Sequence, residues 1–239
     1  DICIDDQEGC FVTFVQGGNQ IKFAQVDYTG TLTQTVAVGT GSTPHVVEDD
    51  AGGALVGYHA ANTEVEVAHY DAGFNALDAR TVPAWGASWD GLKMSKDREG
   101  GTWLVWYQNG GTYIGTHYDG ANQPLPLAYL GQVATIAYQF DIDTDYLSSS
   151  QPMPPVGRNT HRYDCLFAGI GVALTPPGLT QQDVLVARLW YNPVSNLPQW
   201  SNSENISDNN NQIGPGTMYN AMHPSISADS LAYDWNNPY

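Results

Sequence analysis

At 239 residues the chain is long enough for one large domain with a substantial core. Its net charge of −17, with only eight basic residues, argues against nucleic acid and anionic membranes as partners. No apolar run of about 18 residues is present to span a bilayer as a helix. Charged residues make up only 14% of the chain, and Gly, Asn, Thr, Ser, Gln and Tyr take their place, which suits short strands and many turns.

The chain begins at Asp1 with no charged, apolar leader, so any signal peptide is expected to be already removed and the protein to be secreted or on the cell surface. Cys3 and Cys10 flank Ile4–Gly9, which reads as a hairpin turn. Cysteines facing each other across a hairpin can form a disulfide, and the alternative is two small buried thiols. Cys165 is left over and reads as a buried strand residue.

A repeat follows. Asp5–Phe14, Asp49–Tyr58 and Asp97–Trp106 each run from an acidic turn through Gly into an apolar strand ending in an aromatic. Asp27, Asp71 and Asp119 each lie 22 residues after the first aspartate of their copy. The copies are offset by 44 and 48 residues, and periods of about 40–50 belong to propeller blades. In the second unit the strand signals are His45–Glu48, Ala54–Tyr58, Val65–Tyr70 and Arg80–Val82, where Val65-Glu66-Val67-Ala68-His69 alternates as a half-buried strand should. Turns are expected at Gln16–Asn19, Ala60–Thr63 and Gln108–Gly111.

The fourth unit is longer, with strands expected at Thr135–Phe140, Cys165–Leu174, Val184–Trp190 and Leu197–Trp200 and an inserted loop at Tyr146–His161. His223–Asp229 then echoes Thr43–Asp49, and Leu231–Trp235 echoes a second strand. The expected fold is therefore all-β: a propeller of four-stranded antiparallel blades, five-bladed, with units at 1–43, 44–91, 92–134, 135–222 and an incomplete 223–239. An open sheet edge is a liability, so either a partner completes the last blade, or the sequence is part of a longer polypeptide, or the long fourth unit hides a blade.

The string Pro44–Tyr58, with Val65–Gly73 after it, resembles the blades of secreted microbial β-propeller repeat proteins, which share the acidic turn, the Gly-Gly, the aromatic-ended strand and the Asp-x-Gly. The resemblance covers about 120 residues well; it implies a fold and carries over no functional residue. Ser95–Trp103 is also similar to the Asp-box of sialidase-like propellers, with one residue too many before Thr102-Trp103. It reads as a turn device.

Asp141, Asp143 and Asp145 place carboxylates at alternate positions, a spacing that can wrap Ca²⁺ in a loop or simply form a solvated acidic strand end. The repeated turn aspartates are expected to cap their turns by accepting backbone N–H bonds. His69 and His117 share one repeat position, which points to a role in the blade rather than in catalysis. No zinc spacing, nucleophile elbow or phosphate loop is present. Trp85, Trp89, Tyr107, Tyr113 and Trp200 lie near turns or strand ends beside amides and carboxylates, where they can bind sugar or simply pack. Asn205-Ile206-Ser207 is a glycosylation sequon.

The expected function is an extracellular binding or adhesion module, non-enzymatic, with a glycan or cell-surface molecule as its ligand. One alternative is a structural surface or filament subunit, a homo-oligomer whose last blade a neighbouring chain completes. A second is a propeller-type glycoside hydrolase, which needs two or three carboxylates facing one pocket.

Overall fold

The computed structural model describes residues 1–5, 9–61, 64–83, 89–97, 100–108, 112–119, 125–130, 140–144, 164–174, 180–192, 195, 197–201 and 204–205. They form four antiparallel sheets, each a meander in chain order. Blade one is β1 (Ile2–Ile4), β2 (Cys10–Gln16), β3 (Gln20–Val26) and β4 (Leu32–Thr40). Blade two is β5 (Ser42–Glu48), β6 (Ala54–Ala61), β7 (Glu64–Tyr70) and β8 (Ala76–Pro83). Blade three is β9 (Trp89–Lys96), β10 (Thr102–Gln108), β11 (Thr112–Tyr118) and β12 (Ala128–Leu130). Blade four is β13 (Phe140–Thr144), β14 (Cys165–Leu174), β15 (Thr180–Asn192) and β16 (Leu197–Trp200), with β17 (Glu204–Asn205) also paired to β15.

The first strands of successive blades adjoin: β1 meets β5, β5 meets β9, and β9 meets β13. The fold is an all-β propeller of four-stranded antiparallel blades, as expected from the repeat. Four blades lie within the described residues; the unit at 223–239 lies outside them. Among the described residues no helix is long and apolar enough to cross a membrane.

The period-two alternation of each strand divides its side chains between two neighbouring blades. In β6, Ala54, Val56 and Tyr58 pack back onto Phe11, Ile21 and Phe23 of blade one. Leu55, between them, faces forward into a cluster with Leu92, Leu104 and Trp106 of blade three. Trp103, Val105 and Tyr113 of blade three in turn pack on Phe167, Leu189 and Trp200 of blade four. Leu55, Leu104 and Phe23 are fully buried, and burial of each such side chain contributes about 1.5–3 kcal/mol. The core is therefore a series of blade-to-blade interfaces rather than one central mass.

In blade four the described part of the first strand is Phe140–Thr144, and residues 135–139 of the expected Thr135–Phe140 lie outside the described set. Within β13 the alternation holds: Phe140, Ile142 and Thr144 are buried, and Thr144 pairs with Cys165 as Ile4 pairs with Cys10 in blade one.

Candidate functional site

The turn aspartates do structural work. The backbone N–H groups of Gly9, Gly53 and Gly101 donate to Oδ1 of Asp5, Asp49 and Asp97 at 2.6, 2.7 and 2.8 Å. In each turn the aspartate N–H also donates to the carbonyl of the same glycine at 3.1 Å. The second oxygen reaches across the sheet to the third strand: Gln25 Nε2 lies 2.8 Å from Asp5, His69 Nε2 2.8 Å from Asp49, and His117 Nε2 2.6 Å from Asp97. Asp27 and Asp71 close the next turn of their blades in the same way, accepting from Thr29 and Thr31, and from Gly73 and Asn75. These carboxylates are committed to the backbone, as the sequence repeat suggests.

Another repeat position is chemically available. Four residues before Asp5, Asp49, Asp97 and Asp145 stand Asp1, His45, Lys93 and Asp141. Strand pairing puts all four at one level of the first strands: Asp1 exchanges backbone bonds with Thr13, His45 pairs with Gly57, Lys93 with Val105, and Asp141 with Ala168. Thr13, Gly57, Val105 and Ala168 are themselves equivalent, each three residues into its second strand.

Within this level, Asp1 Oδ2 lies 3.1 Å from His45 Nδ1 and accepts the Val46 N–H at 3.2 Å. Lys93 Nζ lies 3.9 Å from Asp141 Oδ1. Burial pulls the His45 imidazole down to about 4, and the charge of Lys93 adds to the effect. Although Asp1 is within ion-pair distance, His45 is thus neutral at neutral pH. A carboxylate can only accept, so the proton sits on Nδ1 and leaves Nε2 as an acceptor. All four side chains keep contact with solvent.

Hydrogen bonds below this level lock the first strands together. Ser95 Oγ meets Thr144 Oγ1 at 2.6 Å between blades three and four. Lys96 Nζ donates to Glu48 Oε2 at 2.6 Å and to Asp50 Oδ1 at 3.1 Å between blades three and two. Burial lowers the Lys96 ammonium's pKa, but those two carboxylates outweigh it and hold it above its ordinary value.

The other residues singled out by sequence lie elsewhere. Tyr107, Tyr113 and Trp200 are buried between blades three and four. Tyr107 and Tyr113 meet edge to face, and Trp200 Nε1 donates to the Ala128 carbonyl at 3.1 Å. They are packing residues because they fall on the faces that neighbouring blades cover. Trp89 opens β9 opposite Gln108, and Trp85 lies outside the described residues. Asn205 is on β17, paired with Leu185.

Asp141 and Asp143 lie on the extended strand β13 rather than in a loop, so their backbone cannot wrap an ion; Asp145 lies outside the described residues. Among the described residues no cluster of His, Cys, Asp or Glu is arranged to hold a metal.

Cys3 and Cys10 are free thiols, contrary to the pairing expected across their turn. Cys3 pairs with Phe11 and Cys10 with Ile4, one step out of register, so the two side chains point to opposite faces of the sheet. Burial, with Glu48 adding, pushes the Cys3 thiol up to about 12. Cys165 is fully buried, as its sequence context suggests.

Sequence reasoning missed Asp1, His45 and Lys93. The signal was the same offset from the turn aspartates that revealed the repeat.

No family model matches this chain, and no curated protein matches it. Solved structures do match, among them an engineered GH43 glycoside hydrolase described as displaying both endo-xylanase and exo-arabinofuranosidase activity. That match has 12% sequence identity and a TM-score of 0.45, and it covers 90% of this chain and 44% of the other. The chain thus spans less than half the length of that structure.

Proposed function

We propose that this propeller is an extracellular binding module for a hydroxyl-rich ligand, a carbohydrate, taken up where the first strands meet. One observation carries the reading: Asp1, His45, Lys93 and Asp141 occupy one level of four adjoining strands and remain partly open to solvent. Two carboxylates and an imidazole nitrogen accept from sugar hydroxyls, and an ammonium donates to them. The four side chains come from four different strands, so the blade-to-blade packing holds their spacing.

A second reading, hydrolysis of a glycosidic bond, draws on the same level, because it contains two carboxylates, Asp1 and Asp141. Such a pair can divide acid and base roles when about 5–10 Å apart.

Calorimetric titration with a panel of neutral and acidic oligosaccharides tests both. Binding that Asp141→Asn and Lys93→Ala each weaken at least about tenfold supports the first reading. Release of reducing ends that Asp141→Asn abolishes supports the second. Binding untouched by either substitution removes this level from the function.

A further inference from the structure

Each blade ends on an outer strand whose far side carries unpaired backbone N–H and C=O groups, an open template for one more strand. Of the four outer strands described, three are blunted. β8 carries Asp78 and Arg80, ion-paired at 2.7 Å, and ends at Pro83. Among the described residues β12 is three residues long. β16 is four residues long and contains Pro198, and β17, paired to the same β15, has two. Charge, proline and short length each discourage a further strand. β4 has none of these devices. Its nine residues, Leu32–Thr40, include no charge and no proline, and five of them are β-branched. Leu32–Thr35, Ala37 and Thr40 are exposed, Leu32 by 59%. Val36 and Val38 pack on the cluster between blades one and two and hold the strand in place. Bulges shift its register with β3 near both ends. Between them Gln34, Thr35, Val36 and Ala37 step one for one against Gln25, Ala24, Phe23 and Lys22, so this run keeps a regular edge.

We propose that the outer edge of β4 pairs with the β4 of a second copy of this chain, antiparallel, about a twofold axis through the run Gln34–Ala37. Charge selects this occupant. At −17, most surfaces of two copies repel each other, whereas two β4 strands meet with no like charges facing. The one charged residue paired along β4 is Lys22, and it lies on the inner strand β3. Antiparallel pairing of two identical edges satisfies both at once. It uses up the one long, uncharged outer edge among the described residues, so association stops at two. Cross-strand neighbours are then Thr, Val, Gln and Ala, small or β-branched side chains that pack well across a ladder. The inference is independent of the ligand proposed above, because that level lies on the first strands and β4 is the outermost strand of its blade.

Analytical ultracentrifugation of the full chain over a range of concentrations tests it. The expected result is a monomer–dimer equilibrium with a dissociation constant on the order of 10 µM, the weak end that a small interface gives. Thr35 is exposed on the regular run, and Thr35→Lys and Thr35→Glu each weaken the dimer at least about tenfold by setting like charges across the new ladder. Mixing the two variants restores a dimer of mixed composition, which also shows that both are folded. A chain that stays monomeric up to about 300 µM overturns the proposal. A dimer that neither substitution weakens overturns it too, because the contact then lies elsewhere. So does a gain with Thr35→Lys beside a loss with Thr35→Glu, which reports net charge alone, and so does a mixture of the two variants that stays monomeric.

Discussion

Asp97 and His117 meet at 2.6 Å in a site with almost no solvent, and Gln25 makes the same contact to Asp5 at 2.8 Å two blades away. A neutral amide and an imidazole are therefore interchangeable in this role, since each presents one N–H to the same carboxylate oxygen. The imidazole also packs at a tilt against Trp103, with ring centroids 4.4 Å apart.

His117→Gln is expected to keep the fold with a loss below about 1 kcal/mol, whereas His117→Ala loses about 2 kcal/mol or more by leaving a buried acceptor short of a donor. Urea denaturation of both variants checks this. Equal losses would mean that ring packing, not the hydrogen bond, sets the stability of the turn.

Gly101 tests the turn from its other side. A Cβ there would run into the Tyr118 carbonyl and the Asp97 carboxylate, and Gly53 is hemmed in the same way by Tyr70 and Asp49. Gly101→Ala is expected to cost about 1–3 kcal/mol through overpacking. Gly17 is crowded by nothing but holds a φ of +63°, so Gly17→Ala costs about 1–2 kcal/mol through backbone strain alone. Melting curves compared at equal pH separate the two cases, because shortening the crowding side chain with Asp97→Ala changes the first penalty and not the second.

His45 makes stability depend on pH. Its folded-state value is about 4 against an ordinary 6.5, so the unfolded chain takes up the proton first as the pH falls. Stability then rises with pH between about 4 and 6.5 and is fully present above that window, with a ceiling near 3 kcal/mol. His59, lowered to about 3 by burial and by His45, acts in the same direction. His45→Asn is expected to flatten the slope of unfolding free energy over that window, and an unchanged slope would assign it to other groups.

The cysteines give a direct chemical count. With Cys3 and Cys10 on opposite faces of their hairpin, denaturation without reductant is expected to expose three reactive thiols. In the native protein Cys3 alkylates slowly at pH 8, since its thiol is held near 12, and Cys165 not at all. A titre of one thiol would show that the hairpin register shifts on oxidation.

The strand repeat and its turns were legible because they depend on local rules. An aspartate that caps a turn, a glycine with no room for a side chain, and an alternation of period two are written in neighbouring residues. They predicted β5 to β8 within a few positions and identified Asp5, Asp49 and Asp97 as turn caps. In blade four the local pattern does not by itself show that the first strand includes Phe140–Thr144; the pairing of Thr144 with Cys165 does.

What the tertiary structure alone decided is which of a strand's two faces meets which neighbour. Tyr107, Tyr113 and Trp200 read as surface aromatics until a second blade covers them. Cys3 and Cys10 read as a bridge until a register of one residue turns them apart. Asp1, His45, Lys93 and Asp141 are scattered in sequence and share a level only because four first strands adjoin. Period and turn chemistry act over a few residues and survive in the sequence. Burial and proximity are set by contacts between blades some forty residues apart, which no local pattern encodes.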